Sequence, residues 1–191
     1  MKNQIKGIIP KWFLEVRKDL LSYLNLSYNS LTSIGHLPWK YMEILDLHSN
    51  MLQGPLPVPS LYSSFFSVSR NNLTREIPSL ICNLSSLQYL DLLFNHLNNM
   101  IPLCLEKLSD HLIDLDLQSN NLHGTIPKTS SKGYYLKSLK FNGNQLEGSL
   151  PQTLVHCRSI LVTTRLIVSS LVVRLNLFNH LIGFIPCQIC L

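Results

Sequence analysis

An asparagine recurs along this chain, and the same arrangement of apolar residues surrounds most of its copies. The copies stand at Asn3, Asn29, Asn50, Asn71, Asn95, Asn120, Asn144 and Asn179. Around six of them an apolar residue lies five and three places before the asparagine and two places after it. The middle copies are 21, 21, 24, 25 and 24 residues apart. Self-similarity at this period predicts a solenoid in which each turn packs only against its neighbours.

The best-preserved copy reads "LDLQSNNLHGTIP", from Leu115 to Pro127, and "LKFNGNQLEGSLP" follows from Leu139 to Pro151. Alternation of the form Leu-x-Leu predicts a short strand whose leucines face inward and whose intervening residues face outward. One such strand per turn stacks into a parallel sheet along one side of the coil. The sequence therefore predicts a leucine-rich-repeat solenoid.

The asparagine stands where the chain turns away from the strand. Its side-chain amide has both donors and acceptors, so a buried ladder of asparagines can satisfy the backbone groups of successive bends. The predicted structural ladder consists of Asn29, Asn50, Asn71, Asn95, Asn120 and Asn144. By this argument Asn71→Leu should unravel a turn, whereas the neighbouring Arg70 should tolerate change.

Glycine follows the asparagine by four places in five copies, and Ile-Pro or Leu-Pro follows two places later in seven. Glycine permits a tight backbone path without a Cβ clash, and proline opens a short helical turn. Arg75 and Asn99 replace this glycine in two copies. These positions predict a sharp bend followed by a helical turn on the convex side.

Composition narrows the possible functions. Apolar residues make up 46% and charged residues 14% of the chain, which excludes a disordered protein. The formal charge of +5 comes from scattered Lys and Arg without a basic stripe, so nucleic acid is not an expected partner. We also expect no secretory signal, because the amino terminus carries charges throughout and has no apolar stretch. No membrane span is expected, because Arg165 and Arg174 interrupt the most apolar stretch of the chain.

The complete form LxxLxxLxLxxNxLxGxIP resembles the plant-specific leucine-rich repeat. Longer phrases are similar to the central ectodomain of plant receptor-like proteins of the disease-resistance class, among them "EIPSLICNLSSLQYLDL" and "LIDLDLQSNNLHGTIP". The resemblance implies the extracellular side of a plasma-membrane receptor and no catalysis. It also implies an extracellular peptide or protein ligand, a co-receptor kinase, no cofactor, and membrane attachment only through parts missing from this chain.

The resemblance completes the predicted fold class, an α/β repeat solenoid of plant-type leucine-rich repeats. We expect a curved right-handed coil, a parallel β-sheet on the concave face and short 3-10 or helical turns on the convex face. Residues 1–160 should form about six to seven repeats, and residues 161–191 a degenerate repeat or aberrant tail. The chain reads as a fragment or a truncated product, because it lacks the polar caps that shield the ends of a solenoid.

The exposed strand positions and the residues just after them are the candidate ligand-binding surface. Aromatic side chains there would anchor a peptide or protein, and Asp91, Asp114 and Asp116 would suit a basic group of the ligand. The alternative is that these are ordinary solvated residues. The candidates are Tyr23, Tyr28, Asp46, His48, Phe65, Arg70, Tyr89, Asp91, Phe94, Asp114, Asp116, Gln118 and Lys140.

Three asparagines, Asn25, Asn72 and Asn83, occupy Asn-x-Ser/Thr triplets and are candidate glycosylation sites if the chain is exported. Asn83 is the best candidate, because it lies on the predicted convex side. A sugar on Asn25 would cover the sheet face at that repeat and argue against ligand binding there.

The five cysteines leave at least one unpaired. Cys82 and Cys104 lie on the convex segments of adjacent repeats, where a disulfide and two buried thiols are both open. The pair in "CQIC", Cys187 and Cys190, has redox or zinc spacing but no second pair to complete a site. No metal site is expected, and the seven histidines show no ligand spacing.

Three other hypotheses compete with a receptor recognition module. A secreted enzyme inhibitor similar to the polygalacturonase-inhibiting proteins would use the same repeat, but it would need cysteine-flanked caps and an export signal. An enzyme or metal-binding protein would rest on the CQIC tail alone, and no catalytic triad or carboxylate pair supports it. A truncated product without function would expose two apolar ends and aggregate.

Overall fold

The computed structural model describes residues 5–15, 17–35, 37–105, 111–127, 136–149 and 151, and the backbone of 159–161 and 165–166. These residues form short strands that succeed one another in two series, with two strands per turn. In chain order the elements are β1 (Lys6–Ile8), α1 (Lys11–Glu15), β2 (Tyr23–Asn25), β3 (Ser30–Ser33), β4 (Ile44–Asp46), β5 (Gln53–Pro55), β6 (Phe65–Ser67), β7 (Asn72–Arg75), a 3-10 helix (Ser79–Asn83), β8 (Tyr89–Asp91), β9 (His96–Leu97), β10 (Asp114–Asp116), β11 (His123–Thr125), β12 (Ser138–Lys140), β13 (Gln145–Gly148), β14 (Ser159–Leu161) and β15 (Arg165–Leu166).

The first sheet is parallel and follows the order β2-β4-β6-β8-β10-β12-β14. Its register matches the repeat position by position, because Leu24, Leu45 and Phe66 pair in one row. That row continues through Leu90 and Leu115. The sheet therefore confirms the stacked parallel strands that the Leu-x-Leu pattern predicts.

A second series of strands, which the repeat pattern did not predict, lies beyond each of the six ladder asparagines from Asn29 to Asn144. Three short parallel sheets have the orders β1-β3, β5-β7-β9 and β11-β13-β15. The backbone after the bend is extended for two to four residues and pairs with the same segment of the next turn. Stacking of successive turns brings these segments together, so hydrogen bonds form there without any alternating apolar pattern.

The core is a continuous stripe between the two series of strands. The leucines on either side of each bend are almost inaccessible to solvent, as with Leu47 at 0% and Leu52 at 2%. At the amino-terminal turns Trp39 fills the stripe and Phe13 packs edge-on against it, with ring centroids 6.5 Å apart. Burial of a leucine side chain stabilises a fold by about 1.5–3 kcal/mol, so each turn depends on its neighbours for stability.

Helical turns follow two of the repeat prolines. Helix α1 begins directly after Pro10, and the 3-10 helix begins directly after Pro78. This placement agrees with the preference of proline for the residues that open a helix.

The boundary predicted at residue 160 falls inside β14. There Ile160 pairs with Leu139 of the first sheet, and Leu166 of β15 pairs with Gly148 of a second sheet. The first series thus continues to Leu161 and the second series to Leu166. The remainder of the predicted tail, including Asn179 and the CQIC motif, lies outside the described residues.

Candidate functional site

The asparagine ladder sits behind the candidate surface and holds its turns in register. The Asn71 amide donates to the carbonyls of Val68 at 2.9 Å and Leu47 at 3.1 Å, and its Oδ1 accepts the Leu52 N–H at 2.9 Å. Each bond to Leu47 or Leu52 crosses to the preceding turn. The same arrangement is found at Asn50, Asn95, Asn120 and Asn144.

Directly before each rung the backbone is left-handed. Non-glycine residues there have φ near +50°, including Tyr28 and Arg70 at 55° and Phe94 at 51°. This geometry is uncommon for side chains other than Asn and Asp. The sequence signal for it is Gly143, which occupies the corresponding position in a later turn with φ of 73°.

A shallow depression of about 300 Å³ lies on the first sheet. Tyr23, Phe65 and Tyr89 contribute aromatic surface to it, and the Phe65 and Tyr89 rings are 6.2 Å apart. Both aromatic residues stand in one register row, because Phe65 pairs with Ile44 on one side and Tyr89 on the other. The remaining lining residues are Asn25, Ile44, Asp46, Ser64 and Gln88. The structure therefore gathers part of the predicted surface into one concavity.

The left-handed residues, here called the rim, each stand three positions after the last residue of a strand of the first sheet. The Tyr28 ring meets the His48 ring edge-on at 4.4 Å, and the Arg70 guanidinium lies 4.9 Å from the centre of the Phe94 ring. Tyr28, Arg70 and Phe94 are exposed. These side chains support one another across adjacent turns, so the rim presents aromatic surface held in place by ring and cation–π contacts.

The aspartates between the inward-facing leucines have a structural role that the sequence analysis missed. Asp46 and Asp91 each accept, through Oδ1, the backbone N–H two residues later, at 3.1 and 3.2 Å. Asp116 accepts the Gln118 N–H in the same way at 3.1 Å. Asx-type bonds of this kind stabilise the bend that leads to the asparagine.

Asp116 is not part of an exposed acidic spot, contrary to the prediction. It is only 6% exposed, and its Oδ2 accepts a hydrogen bond from Lys140 Nζ at 3.1 Å. Lys140 also lies 3.9 Å from Asp114 Oδ1. The next turn of the solenoid thus supplies the basic group that a ligand was expected to bring.

Burial shapes the electrostatics of this pair. Desolvation raises the pKa of Asp116, and this effect outweighs the opposing hydrogen bond from Gln118 N–H and the charge of Lys140. For Lys140 burial alone would lower the pKa, but the charge of Asp116 and its hydrogen bond outweigh burial and raise it. Lys140 therefore stays charged beside Asp116, whose charged form is disfavoured by burial.

Gln118 lies two residues beyond β10, the strand that carries Asp116, and is half-buried. Its side-chain amide contacts the Asn142 side chain of the next turn. The contact places Gln118 beside Asp116 and away from the aromatic depression, so the predicted surface divides into an aromatic half and a polar half.

The three candidate glycosylation sites occupy different faces. Asn25 lines the depression, and its Nδ2 donates to Asp46 Oδ2 at 3.2 Å. Asn72 is exposed on β7, and Asn83 is exposed at the end of the 3-10 helix. A sugar on Asn25 would occupy the depression, whereas sugars on Asn72 and Asn83 would leave it open.

Cys82 and Cys104 form a disulfide between adjacent turns. Both residues are half-buried, and 22 residues separate them in sequence. Disulfides of this kind persist in oxidising compartments. Within the described ranges, no group of three or more His, Cys, Asp or Glu side chains could hold a metal ion. Among the same residues, no helix is long and apolar enough to cross a bilayer.

Comparison with known proteins places this geometry in a family. The family model described as Leucine Rich Repeat matches residues 64–84, 111–132 and 135–157. The chain is 46% identical to Receptor-like protein 7 of Arabidopsis thaliana over 110 residues, covering 56% of the chain and 11% of the relative. It is 40% identical to Receptor-like protein 35 of the same plant over 153 residues, covering 80% of the chain and 14% of the relative.

Solved structures agree with these relatives. The crystal structure of a TDR receptor superposes with a TM-score of 0.71 at 27% identity, covering 83% of this chain and 28% of that one. The plant peptide hormone receptor RGFR1 in complex with RGF2 gives 0.68 at 26% identity, covering 86% and 31%. Receptor-like proteins 7 and 35 are much longer than this chain, which spans only 11% and 14% of their length. The chain is a plant leucine-rich-repeat protein of the receptor-like protein family.

Proposed function

We propose that the chain is a non-catalytic recognition module that binds a peptide or protein through its first sheet. The depression between Tyr23, Phe65 and Tyr89 is the observation that carries this proposal. Tyr23 and Tyr89 are 58% and 41% exposed. Exposed aromatic side chains around a concavity are typical of the anchoring positions of protein interfaces.

The relatives support a receptor role. Two of them are receptor-like proteins, and RGFR1 is described as a peptide hormone receptor in complex with RGF2. Transferred to this chain, these descriptions favour a peptide or protein ligand, and the family resemblance implies a role in defence or developmental signalling. Co-receptor kinase binding is the further partner that the family resemblance implies.

The Cys82–Cys104 disulfide supports a location on the extracellular side of the plasma membrane. A disulfide between two half-buried cysteines would be reduced in the cytosol and retained outside the cell. The same compartment would make the Asn83 triplet available for glycosylation.

Selection from a random peptide display library on the full chain tests the proposal. We expect enriched peptides that lose binding when Tyr89→Ser or Phe65→Ser removes an aromatic wall of the depression. The matched control is His123→Ser, because His123 is exposed on a second sheet, away from the first. Circular dichroism of each variant shows whether it retains the fold.

The outcomes separate the faces of the molecule. Enriched peptides that are insensitive to Tyr89→Ser and Phe65→Ser but sensitive to His123→Ser would place recognition on the second sheets and overturn the proposal. The absence of any enriched peptide, together with hydrolysis of a glycosidic or peptide substrate, would contradict a non-catalytic module.

A further inference from the structure

The surface of the first sheet is acidic although the chain is basic. Its outward-facing rows before and after the inward-facing leucines contain four aspartates and one lysine, a formal charge of −3, while the chain carries +5. These charged residues are Asp46, Asp91, Asp114, Asp116 and Lys140. Concentration of one sign on a single face attracts a ligand of the opposite sign.

The charges are distributed unevenly along the sheet. At one end Lys140 contacts Asp116 at 3.1 Å and Asp114 at 3.9 Å. At the aromatic end, no Lys or Arg among the described residues lies within ion-pair distance of Asp46 or Asp91. Asp46 contacts His48 Nδ1 at 2.8 Å, an ion pair only when the histidine is protonated. Asp46 lines the depression, and Asp91 lies just outside its lining, on the strand that carries Tyr89. The negative charge near the depression is therefore less compensated than the charge at the other end of the sheet.

The contact between Asp116 and Lys140 shows how a cationic side chain binds an aspartate in the register row that also contains Asp91. Asp91 and Asp116 are neighbours in register, and each uses Oδ1 to accept a backbone N–H of its own turn. At Asp116 the other oxygen receives Lys140. At Asp91, among the residues that the structure describes, the other oxygen receives only the Ser67 hydroxyl at 2.9 Å. A carboxylate oxygen has a further lone pair, so Asp91 retains room for a charged donor.

The aromatic side chains of the depression can also bind a cationic group of a ligand. Tyr89 precedes Asp91 on β8 by two residues, and both side chains leave the strand on the face that holds the depression. A guanidinium over the Tyr89 or Phe65 ring gains cation–π attraction, and its planar fork pairs well with a carboxylate. Its aliphatic stem would cover apolar surface of Ile44 and Phe65.

We propose that the depression binds an arginine side chain of an extended peptide, between the Phe65 and Tyr89 rings and the carboxylates of Asp46 and Asp91. This inference rests on the proposed function and adds the chemical class of the ligand. Arginine is favoured over lysine because its flat, weakly hydrated head can stack on a ring and pair with a carboxylate together.

The test uses three terminally blocked peptides of alternating serine and leucine that differ at one central residue. The residue is arginine, its neutral isostere citrulline, or glutamate, and binding to the full chain is measured by isothermal titration calorimetry. We expect the arginine peptide to bind about tenfold more tightly than the citrulline peptide, and this preference to shrink as salt is added. The glutamate peptide should bind most weakly.

Two matched variants assign the preference to the site. Asp91→Asn keeps an oxygen for the Leu93 N–H while removing the charge, and it should lower the arginine preference about fivefold. Glu147→Gln removes an equal charge from an exposed position on a second sheet and should leave that preference unchanged. Tyr89→Ser should weaken the arginine and citrulline peptides alike.

Equal affinity for the arginine and citrulline peptides, tighter binding of the glutamate peptide, or no binding by any of the three overturns this inference. The proposed function is judged separately from display selection. Selected peptides that lack basic residues but still depend on Phe65 and Tyr89 would sustain recognition by the first sheet and exclude arginine as the group recognised.

Discussion

Lys140 Nζ lies 3.1 Å from Asp116 Oδ2, and the two residues pair in register on adjacent strands of the first sheet. The carboxylate is nearly buried, whereas about a quarter of the lysine side chain remains exposed. Burial of a charged pair costs desolvation energy that its attraction offsets only in part. The pair therefore orders this end of the sheet more than it stabilises the fold.

The raised pKa of Asp116 makes the free energy of unfolding depend on pH in the acid range. Because its folded-state pKa lies above the ordinary 3.8, the folded state binds the proton more tightly than the unfolded state does. The free energy of unfolding should therefore fall as pH rises from 3.8 through the folded pKa. Asp116→Asn keeps the acceptor for Gln118 N–H and should lack this component. Urea denaturation of both proteins across the acid range measures the difference, and identical profiles would contradict it.

The raised pKa of Lys140 acts at the other end of the pH scale. The stabilisation that Lys140 gains from Asp116 is fully present below pH 10.5 and should be lost as pH rises through its higher folded pKa. A double-mutant cycle with Asp116→Asn and Lys140→Met should give a coupling energy of about 1 kcal/mol at neutral pH. A coupling of zero would show that the contact adds no stability.

Substitution of Asn71 should break the ladder. Asn71→Leu leaves the Leu52 N–H unpaired in the core, and such an orphaned group costs about 1–3 kcal/mol. The Leu47 carbonyl loses one of its two amide donors and keeps Asn50 Nδ2 at 3.0 Å. We expect a loss of roughly 2 kcal/mol in the free energy of unfolding. Arg70→Ser is the control, because it removes only an exposed cation–π contact of about 1 kcal/mol or less. Similar losses in both variants would refute the ladder as the dominant support.

Loss of the disulfide should weaken the central turns. The Cys82–Cys104 bridge closes a loop with a sequence separation of 22, for which loop entropy gives a stabilisation of about 3 kcal/mol. The double variant Cys82→Ser and Cys104→Ser should therefore unfold at lower denaturant than the oxidised chain. Treatment with a reductant should bring the unmodified chain close to the variant. An unchanged midpoint in both cases would mean that packing alone holds these turns.

Substitution of Arg75 by glycine should increase the free energy of unfolding. The Arg75 φ of 71° matches the left-handed conformation of Gly54, with φ of 87°, at the same place in an earlier turn. Relief of about 1–2 kcal/mol of strain, less the entropy cost of glycine, predicts a gain of about 0.5 kcal/mol for Arg75→Gly. Gly54→Ala is the reverse control. No atom lies within 4 Å of the added Cβ, so its expected loss of about 1 kcal/mol comes from the backbone alone.

Glycosylation should distinguish the faces of the solenoid. In the chain secreted from a eukaryotic host, we expect a glycan on Asn83 to leave peptide binding intact, because this residue is exposed away from the first sheet. A glycan on Asn25 should abolish binding, because Asn25 lines the depression. Mass spectrometry of the bound and unbound fractions measures occupancy at both sites. Equal Asn25 occupancy in the two fractions would contradict a ligand in the depression.

Several features followed from periodicity alone. The positions of Leu45 and Leu47 implied a strand with its leucines inward. Asn50 implied a bend whose backbone N–H and carbonyl groups would pair with the side-chain amide. These inferences succeed because every turn of a solenoid repeats one local solution, so a single turn predicts the others. The Arg75 position, where glycine was expected, shows the limit, because only the structure reveals that arginine keeps the left-handed geometry.

The sequence by itself determined the period, the inward leucines, the row of asparagines and the family, because each depends on residue type at a fixed spacing. Only the tertiary structure decided which outward residues remain accessible and how the second strands pair. Asp91 and Asp116 occupy the same repeat position, yet Lys140 of the following turn covers one and leaves the other beside Tyr89. Such differences arise between neighbouring turns, so no spacing within one repeat could have shown them.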